Sequence, residues 1–295
     1  MNIILRAFLK LRNSLFGTGL GKIPGLAWLS EKTYKTLAPE KLTLIVHHGV
    51  KIFVNPREEG LGASLFGIGT FEEYETALFE SLLKPGMTVA DIGANLGYYS
   101  LLASGRVGRK GRVYSFEPEP KNRGILLKNI KENNFTNIIP INMALSNRKG
   151  KLKLYTDKSN EGRNSLSETN VIDKKGFVNV QATTLDSYFL ENAGSLKVDF
   201  IKIDVEGAEG LVFEGAEKIL KKNNLKILME FCPYFLGNLG TDPLQMLEKM
   251  RGFGFKLKYI DAENKKLTLM PAGKIIEICG GMLEGKGAVN LLLEK

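Results

Sequence analysis

The stretch "VADIGANLGYYS" runs from Val89 to Ser100. A short apolar run ends at Asp91, Gly93 and Gly97 follow, and the residues beyond them have helix-forming composition. Read physically, this is a strand, a tight turn and a helix start. Ligands of an open parallel sheet bind beyond the carboxyl ends of its strands, where the strand order reverses. Glycine in such a turn admits positive φ and lets a ligand approach the main chain. The first N–H groups of the following helix have no intrahelical partners and face that ligand. A dinucleotide pyrophosphate calls for G-x-G-x-x-G. Here the spacing is Asp91-x-Gly93-x-Asn95-x-Gly97, and a carboxylate beside the turn repels pyrophosphate. It tolerates a ligand whose near end is cationic.

Outward from this turn the pattern repeats. "MTVADIG" reads as a strand, "GYYSLLASGRVG" as a helix closed by glycine, and "GRVYSFEPEP" as the next strand and turn. "KNRGILLKNIKENNF" sets Ile125, Leu126, Ile130 and Phe135 at near-helical spacing, and "NIIPINMALSN" is a third strand. From Gly150 to Asn179 the alternation breaks. "GKLKLYTD" and "FVNVQATTL" read as an inserted hairpin around a polar, mobile loop. The alternation resumes with the strand "VDFIKIDVEGAE", the helix "GLVFEGAEKILKK", the strand "LKILMEF" and the helix "DPLQMLEKMRGFGF". "KLKYIDAENKKLTLM" and "AVNLLLEK" supply late strands that close as an antiparallel pair. Upstream, "LTLIVHHGVKIFVNP" predicts two strands turning at His48-Gly49. "FEEYETALFESLLKPG" predicts a helix with Tyr74, Leu78, Phe79, Leu82 and Leu83 on one face. Units of this kind build a doubly wound α/β sheet, mostly parallel and of seven strands, with helices on both faces. Three segments follow: a basic amphipathic helical segment over 1–40, with "GTGLGKIPG" as a break, a hairpin and helix leading in over 41–84, and the α/β domain over 85–295.

The composition allows this. The chain has 295 residues, 43% hydrophobic and 25% charged, enough for one domain with additions and a real core. A net charge of +9 and a pI near 9.3 favour an anionic partner, or serve solubility alone. Two cysteines, Cys232 and Cys279, exclude a disulfide framework and point to reduced thiols in a cytoplasmic protein. "MNIILRAFLKLRNSLFG" sets Arg6, Lys10 and Asn13 on one helical face, with Ile4, Leu5, Phe8 and Leu11 largely on the other. No apolar run there approaches the roughly 18 residues of a membrane span, and no signal-peptide pattern is present. Docking on the protein's own core is the expectation. The alternative is peripheral contact of residues 1–20 with an anionic membrane, at the inner membrane surface.

The strand tips carry the chemistry. Glu117 ends the apolar run of "VYSFEPEP", and a carboxylate there accepts both hydroxyls of a ribose. It follows Asp91 by 26 positions, against about 20 in the dinucleotide pattern, and "SGRVGRKGR" absorbs the excess. Glu119, beyond Pro118, is the competing acid. Asn142, Met143 and Ala144 form a third tip suited to a base edge. The fourth tip, "DFIKIDVEGAE", gathers Lys202, Asp204, Glu206 and Glu209, and the next strand ends in Glu230. Strand alternation puts Lys202 and Asp204 on the same face. Burying such groups is costly unless they are paired or used. A ligand with an ammonium, a sulfonium, a ribose and a base but no phosphate is S-adenosylmethionine. The turn from Asp91 through Gly93, Ala94, Asn95 and Gly97, together with Glu117, Asn142 and Ala144, suits it.

These motifs, "VADIGANLGYYS", "VYSFEPEP", "NMALSN" and above all "IKIDVEGAE", resemble the FkbM-type methyltransferases over residues 86–231. That resemblance implies a Rossmann-like class I methyltransferase that uses S-adenosylmethionine to methylate hydroxyls, often on sugars or polyketide-linked groups. It implies Asp91, Gly93, Asn95 and Gly97 around the methionine end, Glu117 on the ribose and Asp204 facing the transferring methyl. Methylating an alcohol requires an aligned nucleophile and a base. His47 and His48 fall in a hairpin turn, which leaves Asp204 or Glu206 as base, with Lys202 orienting the carboxylate. Mg²⁺ on Asp204, Glu206 and Glu230 is the less favoured alternative. Tyr98 contacts the ligand or packs the helix, and Arg163, Asn164 and Ser165 suit a hydroxyl-rich acceptor or a plain loop. The expected acceptor is a small molecule or carbohydrate: a sugar, or a glycolipid or polysaccharide intermediate. The competing readings are an RNA methyltransferase and a non-catalytic membrane-associated protein that keeps the fold. Against a nucleic-acid partner stands the lack of any aromatic-basic module or "NPPY"-like fourth tip.

Overall fold

The computed structural model describes residues 3–14, 25–195, 197–222, 224–280 and 286–295. The break read in "GTGLGKIPG" lies outside them except for Gly25. Two compact units divide the chain, Met1–Phe71 and Glu72–Lys295.

In the first unit, helices span Ile3–Ser14 and Leu26–Leu37. Leu5 and Leu9 of the first pack against Tyr34 and Ala38, so the amphipathic helix docks on its own unit's core. The Arg12 guanidinium lies 4.7 Å above the Tyr34 ring. Strands β1 (Thr43–His47) and β2 (Val50–Val54) pair antiparallel, with Ile45 opposite Ile52. Their turn places His48 at φ 47° and Gly49 at φ 78°. Two left-handed residues match the right-handed twist of the strands.

The second unit is built on a sheet of eight strands. These are β3 (Thr88–Ile92), β4 (Arg112–Phe116), β5 (Ile138–Ile141), β9 (Phe200–Ile203), β10 (Lys226–Phe231), β11 (Lys256–Asp261), β12 (Lys266–Leu269) and β13 (Val289–Glu294). Their order is β12-β11-β13-β10-β9-β3-β4-β5. From β5 to β10 all neighbours are parallel, and β13 enters antiparallel between β10 and β11. This is the expected doubly wound sheet. An eighth strand, β12, is added at the edge because Asp261 and Asn264 close a hairpin that returns along β11. Strand order reverses between β3 and β9, so the crevice for a ligand opens over their carboxyl ends. All four residues of β9 are buried, as in a sheet covered on both faces.

Several elements differ from the sequence reading. The insert is a three-stranded sheet, in which β6 (Ala144–Leu145) and β7 (Gly150–Asp157) flank β8 (Lys174–Thr183). Its polar loop is ordered by Asp157, which accepts the N–H groups of Ser159, Asn160 and Asp173. "GLVFEGAEKILKK" forms two short helices, Glu209–Glu214 and Glu217–Leu220. They part at Gly215, where a Cβ would lie 2.2 Å from the Ser146 carbonyl oxygen. Helix Ala272–Gly280 was not anticipated. Helix Glu73–Leu82 buries Glu75, Thr76, Phe79 and Glu80, a face rotated from the apolar one expected, since Glu80 pairs with Arg106 and Glu75 with Asn290.

Candidate active site

The opening turn sits where the strand order reverses. Gly93 has φ 81°, and a Cβ on it would lie 1.9 Å from the Asp204 carbonyl oxygen. The turn therefore presses against the tip of β9, and the Asp204 N–H donates to the Ile92 carbonyl at 3.0 Å. The N–H groups of Gly93 and Ala94 both donate to the Phe116 carbonyl, which ties the turn to β4. Asn95 takes φ 51°. Gly97 starts helix Tyr98–Val107 in a left-handed conformation and faces Leu126. Asp91 lies beneath the turn, 2% exposed, and accepts from the Ser100 hydroxyl at 2.5 Å. Burial pushes its carboxyl up to about 6.

Glu117 and Glu119 separate cleanly. Glu119 accepts the Asn122 N–H at 2.7 Å and caps helix Pro120–Glu132. Glu117 is buried, and its two oxygens accept the N–H groups of Asn95 at 2.7 Å and Glu119 at 2.8 Å. Burial raises its carboxyl to about 8, although those two donors favour the charged form. Each oxygen keeps a lone pair for a further donor.

Between these tips and the insert lies a cleft. Gly93, Asn95, Glu117 and Asp204 line it with the apolar Ile92, Phe116, Met143 and Leu145. Ala144 also lines it. Asn142 does not; it is exposed, because the chain between β5 and β6 turns Met143 inward in its place. Asn164 lines the insert's side of the cleft. Ser165 and Asn170 instead grip the fourth tip, donating to the Glu206 carbonyl at 2.7 and 2.9 Å. Tyr98 is buried with its hydroxyl at 3.2 Å from Thr76, which is helix packing.

The "IKIDVEGAE" block folds as a strand followed by a strained turn. Glu209 accepts the Val205 and Gly207 N–H groups and so holds the turn. Gly207 takes φ 101°, and a Cβ there would lie 2.5 Å from the Phe235 carbonyl oxygen. Lys202 is 3% exposed and opposite Asp91 in the β3–β9 register. Its ammonium stands 3.4 Å from Asp204 and 4.9 Å above the Tyr99 ring. Burial opposes that charge, yet Asp204, Glu72, Asp91 and Glu230 together hold the Lys202 pKa above its ordinary value. The side chain of Asp204 is 37% exposed.

Oxygens of Asp204, Glu206 and Glu230 come within 4.8 Å of one another. Burial, then the Glu230 and Asp204 charges, push Glu206 well up, and burial with Asp204 raises Glu230 to about 8. The Lys202 ammonium, 3.4 Å from Asp204, competes with any cation for that carboxylate. Sequence reasoning missed Glu72 and Tyr99. Glu72, at φ 42°, accepts the Tyr99 hydroxyl at 2.6 Å and faces Lys202. Nothing in the local pattern marks Glu72, since its partners lie far along the chain. Glu72, Asn95 and Glu206 all take left-handed φ, a strain that gathers at functional sites.

The residues fit S-adenosylmethionine. The Asn95 side-chain oxygen is buried without a hydrogen-bond partner, an acceptor awaiting a donor. Glu117 offers paired acceptors for two hydroxyls, and Phe116, Met143 and Leu145 offer apolar walls for a base.

The methyltransferase FkbM domain matches residues 91–257. The 2-O-methyltransferase NoeI of Sinorhizobium fredii (strain NBRC 101917 / NGR234) is 26% identical over 154 residues, 48% of this chain and 62% of that protein. The chain thus spans less than two thirds of this relative's length. Among solved structures, methyltransferase FkbM from Methylobacillus flagellatus KT superposes with TM-score 0.43 at 15% identity, covering 75% of this chain and 51% of that one. TYW2 from M. jannaschii in complex with AdoMet gives 0.46 at 13% identity, covering 87% and 85%. With more than half its length matched by that domain, the chain belongs to the FkbM methyltransferase family.

Proposed function

We propose that the protein is an S-adenosylmethionine-dependent O-methyltransferase that acts on a hydroxyl of a small-molecule or carbohydrate acceptor, a sugar or a glycolipid or polysaccharide intermediate. The observation that carries this is the cleft where strand order reverses, with Glu117 on one side and the Asp204–Glu206–Glu230 carboxylates at the fourth and fifth tips. Bound there, the cofactor supplies an electrophilic methyl on a sulfonium. Asn95 accepts from its ammonium, Glu117 from its ribose hydroxyls, and the Gly93 turn brings the main chain against it.

The acceptor hydroxyl needs a base. A carboxylate whose pKa is raised toward neutrality binds a proton more strongly than an ordinary one and still ionises near working pH. Glu230 is so raised, to about 8, and burial with the Glu230 charge pushes Glu206 well above its ordinary value. Asp204 is the more exposed member and stands at the cleft. Lys202 fixes its orientation through the 3.4 Å contact. In this reading Asp204 directs the hydroxyl and the Glu206–Glu230 pair takes its proton. NoeI is named a 2-O-methyltransferase, which supports the choice of oxygen as the methylated atom.

The test is calorimetric titration with S-adenosylhomocysteine on the wild type and on Glu117→Ala, followed by methyl transfer to hydroxyl-bearing sugars. Binding that weakens in the variant, and turnover that is lost in Asp204→Asn while binding persists, are expected. A folded wild type that does not bind S-adenosylhomocysteine would sink the reading.

A further inference from the structure

Helix Ile3–Ser14 buries only one of its faces, that of Leu5 and Leu9. At 100° per residue, Ile4 and Leu11 stand on a second face with Ala7 between them, and Leu11 is 61% exposed. Arg6 and Lys10 are exposed on the arc between the buried face and that stripe. The next helix presents Trp28, 62% exposed, with the Lys32 ammonium 4.7 Å above its ring, and Leu29 beside it. On the hairpin, Val46 is 71% exposed. Of the sixteen exposed large apolar residues among the described residues, ten fall within Met1–Phe71. Single exposed leucines need no explanation, but such a concentration does.

Charge follows the same division. Residues 1–71 hold nine Lys and Arg against four Asp and Glu, a net +5 of the chain's +9 on under a quarter of its length. Acids of this unit are engaged within it: Glu31 and Glu59 with Lys35, and Glu40 with Arg57. Arg6, Lys10, Lys32, Lys41 and Lys51 of this unit are exposed.

We propose that this unit carries a docking surface for an anionic lipid bilayer. An apolar stripe edged by Lys and Arg lies in a membrane interface with its aliphatic face down, and tryptophan prefers that depth. No helix of the described residues is long and apolar enough to cross a membrane, so the contact is peripheral. RNA would engage the cations but leave Ile4, Leu11 and Val46 in water, since single strands are bound by stacking and phosphate contacts. This inference does not rest on the methyltransferase reading.

Trp28 is the chain's one tryptophan, so emission of the full chain reports on this surface alone. The probes are vesicles of phosphatidylcholine, with and without phosphatidylglycerol. The expected result is co-sedimentation and a blue-shifted emission only with the anionic vesicles, quenched by brominated acyl chains. At about 1 kcal/mol per basic residue near the surface, Arg6→Glu with Lys10→Glu lowers partitioning at least about 25-fold. Leu11→Glu, an exposed position that leaves the fold intact, also abolishes it. Unchanged Trp28 emission with anionic vesicles would overturn the proposal. So would vesicle binding that survives both variants, or salt-sensitive binding of polyuridylate without any response to vesicles.

Discussion

Replacing Glu117 by glutamine keeps the shape of the side chain and removes its charge. In the folded protein its two oxygens accept the Asn95 and Glu119 N–H groups. Glutamine has one acceptor oxygen, so one of those donors loses its partner, at a cost of about 1–3 kcal/mol in stability. Toward the ligand, hydrogen bonds to a charged acceptor contribute about 1.5–3 kcal/mol each. Glutamine serves one ribose hydroxyl at most, so affinity for S-adenosylhomocysteine falls by about 2–3 kcal/mol, roughly 30–150-fold. A proton accompanies the event. Burial holds the Glu117 carboxyl at about 8, and two hydroxyl donors stabilise its charged form and lower that value. Binding below pH 8 therefore releases a proton, and wild-type affinity climbs with pH until it levels above about 8. Calorimetry in two buffers of different ionisation enthalpy reads both quantities, and the variant should lose the proton release with the affinity. A stability control uses the same residue. The folded pKa lies above the ordinary 4.5, so the native state holds a proton that the unfolded chain has given up. Wild-type stability then falls as pH rises from about 4.5 to about 8, and the melting temperatures of the two proteins converge toward pH 8. A variant that binds within threefold of the wild type, with the pH slope intact, would refute the assignment of Glu117 to the ribose.

Turnover should rise with pH through about 8, because a base acts only after losing its proton and Glu230 and Glu206 are both raised. Glu230→Gln removes a charge that elevates Glu206 and should move that limb to lower pH; a flat profile from pH 6 to 9 would count against a carboxylate base. Lys202→Met leaves Glu72, Asp91, Asp204 and Glu230 around a neutral side chain. The expected loss is about 3–5 kcal/mol at pH 8, shrinking toward pH 5 as those acids protonate, and urea melts at the two pH values check it. Equal losses at both would assign the effect to packing. Gly93→Ala must displace the Asp204 carbonyl, 1.9 Å from the new Cβ, and strain a φ of 81°. It should cost about 1–3 kcal/mol or more and abolish S-adenosylhomocysteine binding, measured by melting and titration.

How much of this could be read from the sequence depends on distance along the chain. The turn at Gly93 is local, and apolar runs bounded by glycines and prolines set the strand that carries it, whereas the capping role of Glu119 shows only in the fold. A doubly wound, mostly parallel sheet follows from the alternation. What stayed hidden is decided between segments. Glu72 becomes part of the site because Tyr99 and Lys202, 27 and 130 positions away, converge on it. Asn142 matched the third tip by position, but the irregular link from β5 to β6 turned Met143 inward. The polar loop of the insert read as mobile because Asp157, Ser165 and Asn170 look like ordinary loop residues until their partners at 159–173 and at Glu206 are in place. Gly215 ended a helix early for a reason visible only in the Ser146 carbonyl it meets.

The acids of this unit divide by whether the fold satisfies them. Asp91 has Ser100, Glu119 has the Asn122 N–H, and Glu209 has the Val205 and Gly207 N–H groups. Each is buried or half-buried and has a structural use. Among the described residues no hydrogen-bond donor reaches the carboxyls of Glu206 or Glu230; Glu206 has a single cation, Arg163, acting on it from a distance, and its strongest neighbouring charge is Glu230 itself. A fold selected for stability alone would place apolar side chains there, since like charges close together in a poorly solvated site destabilise the native state. Lys202 offsets part of that repulsion at Glu230, but its one ion pair is with Asp204. The unsatisfied pair therefore retains a high proton affinity, and Asp204 beside it lines the cleft. A carboxylate of high proton affinity can accept a proton from an incoming hydroxyl, whereas donors bound to a carboxylate favour its charged form and weaken it as a base.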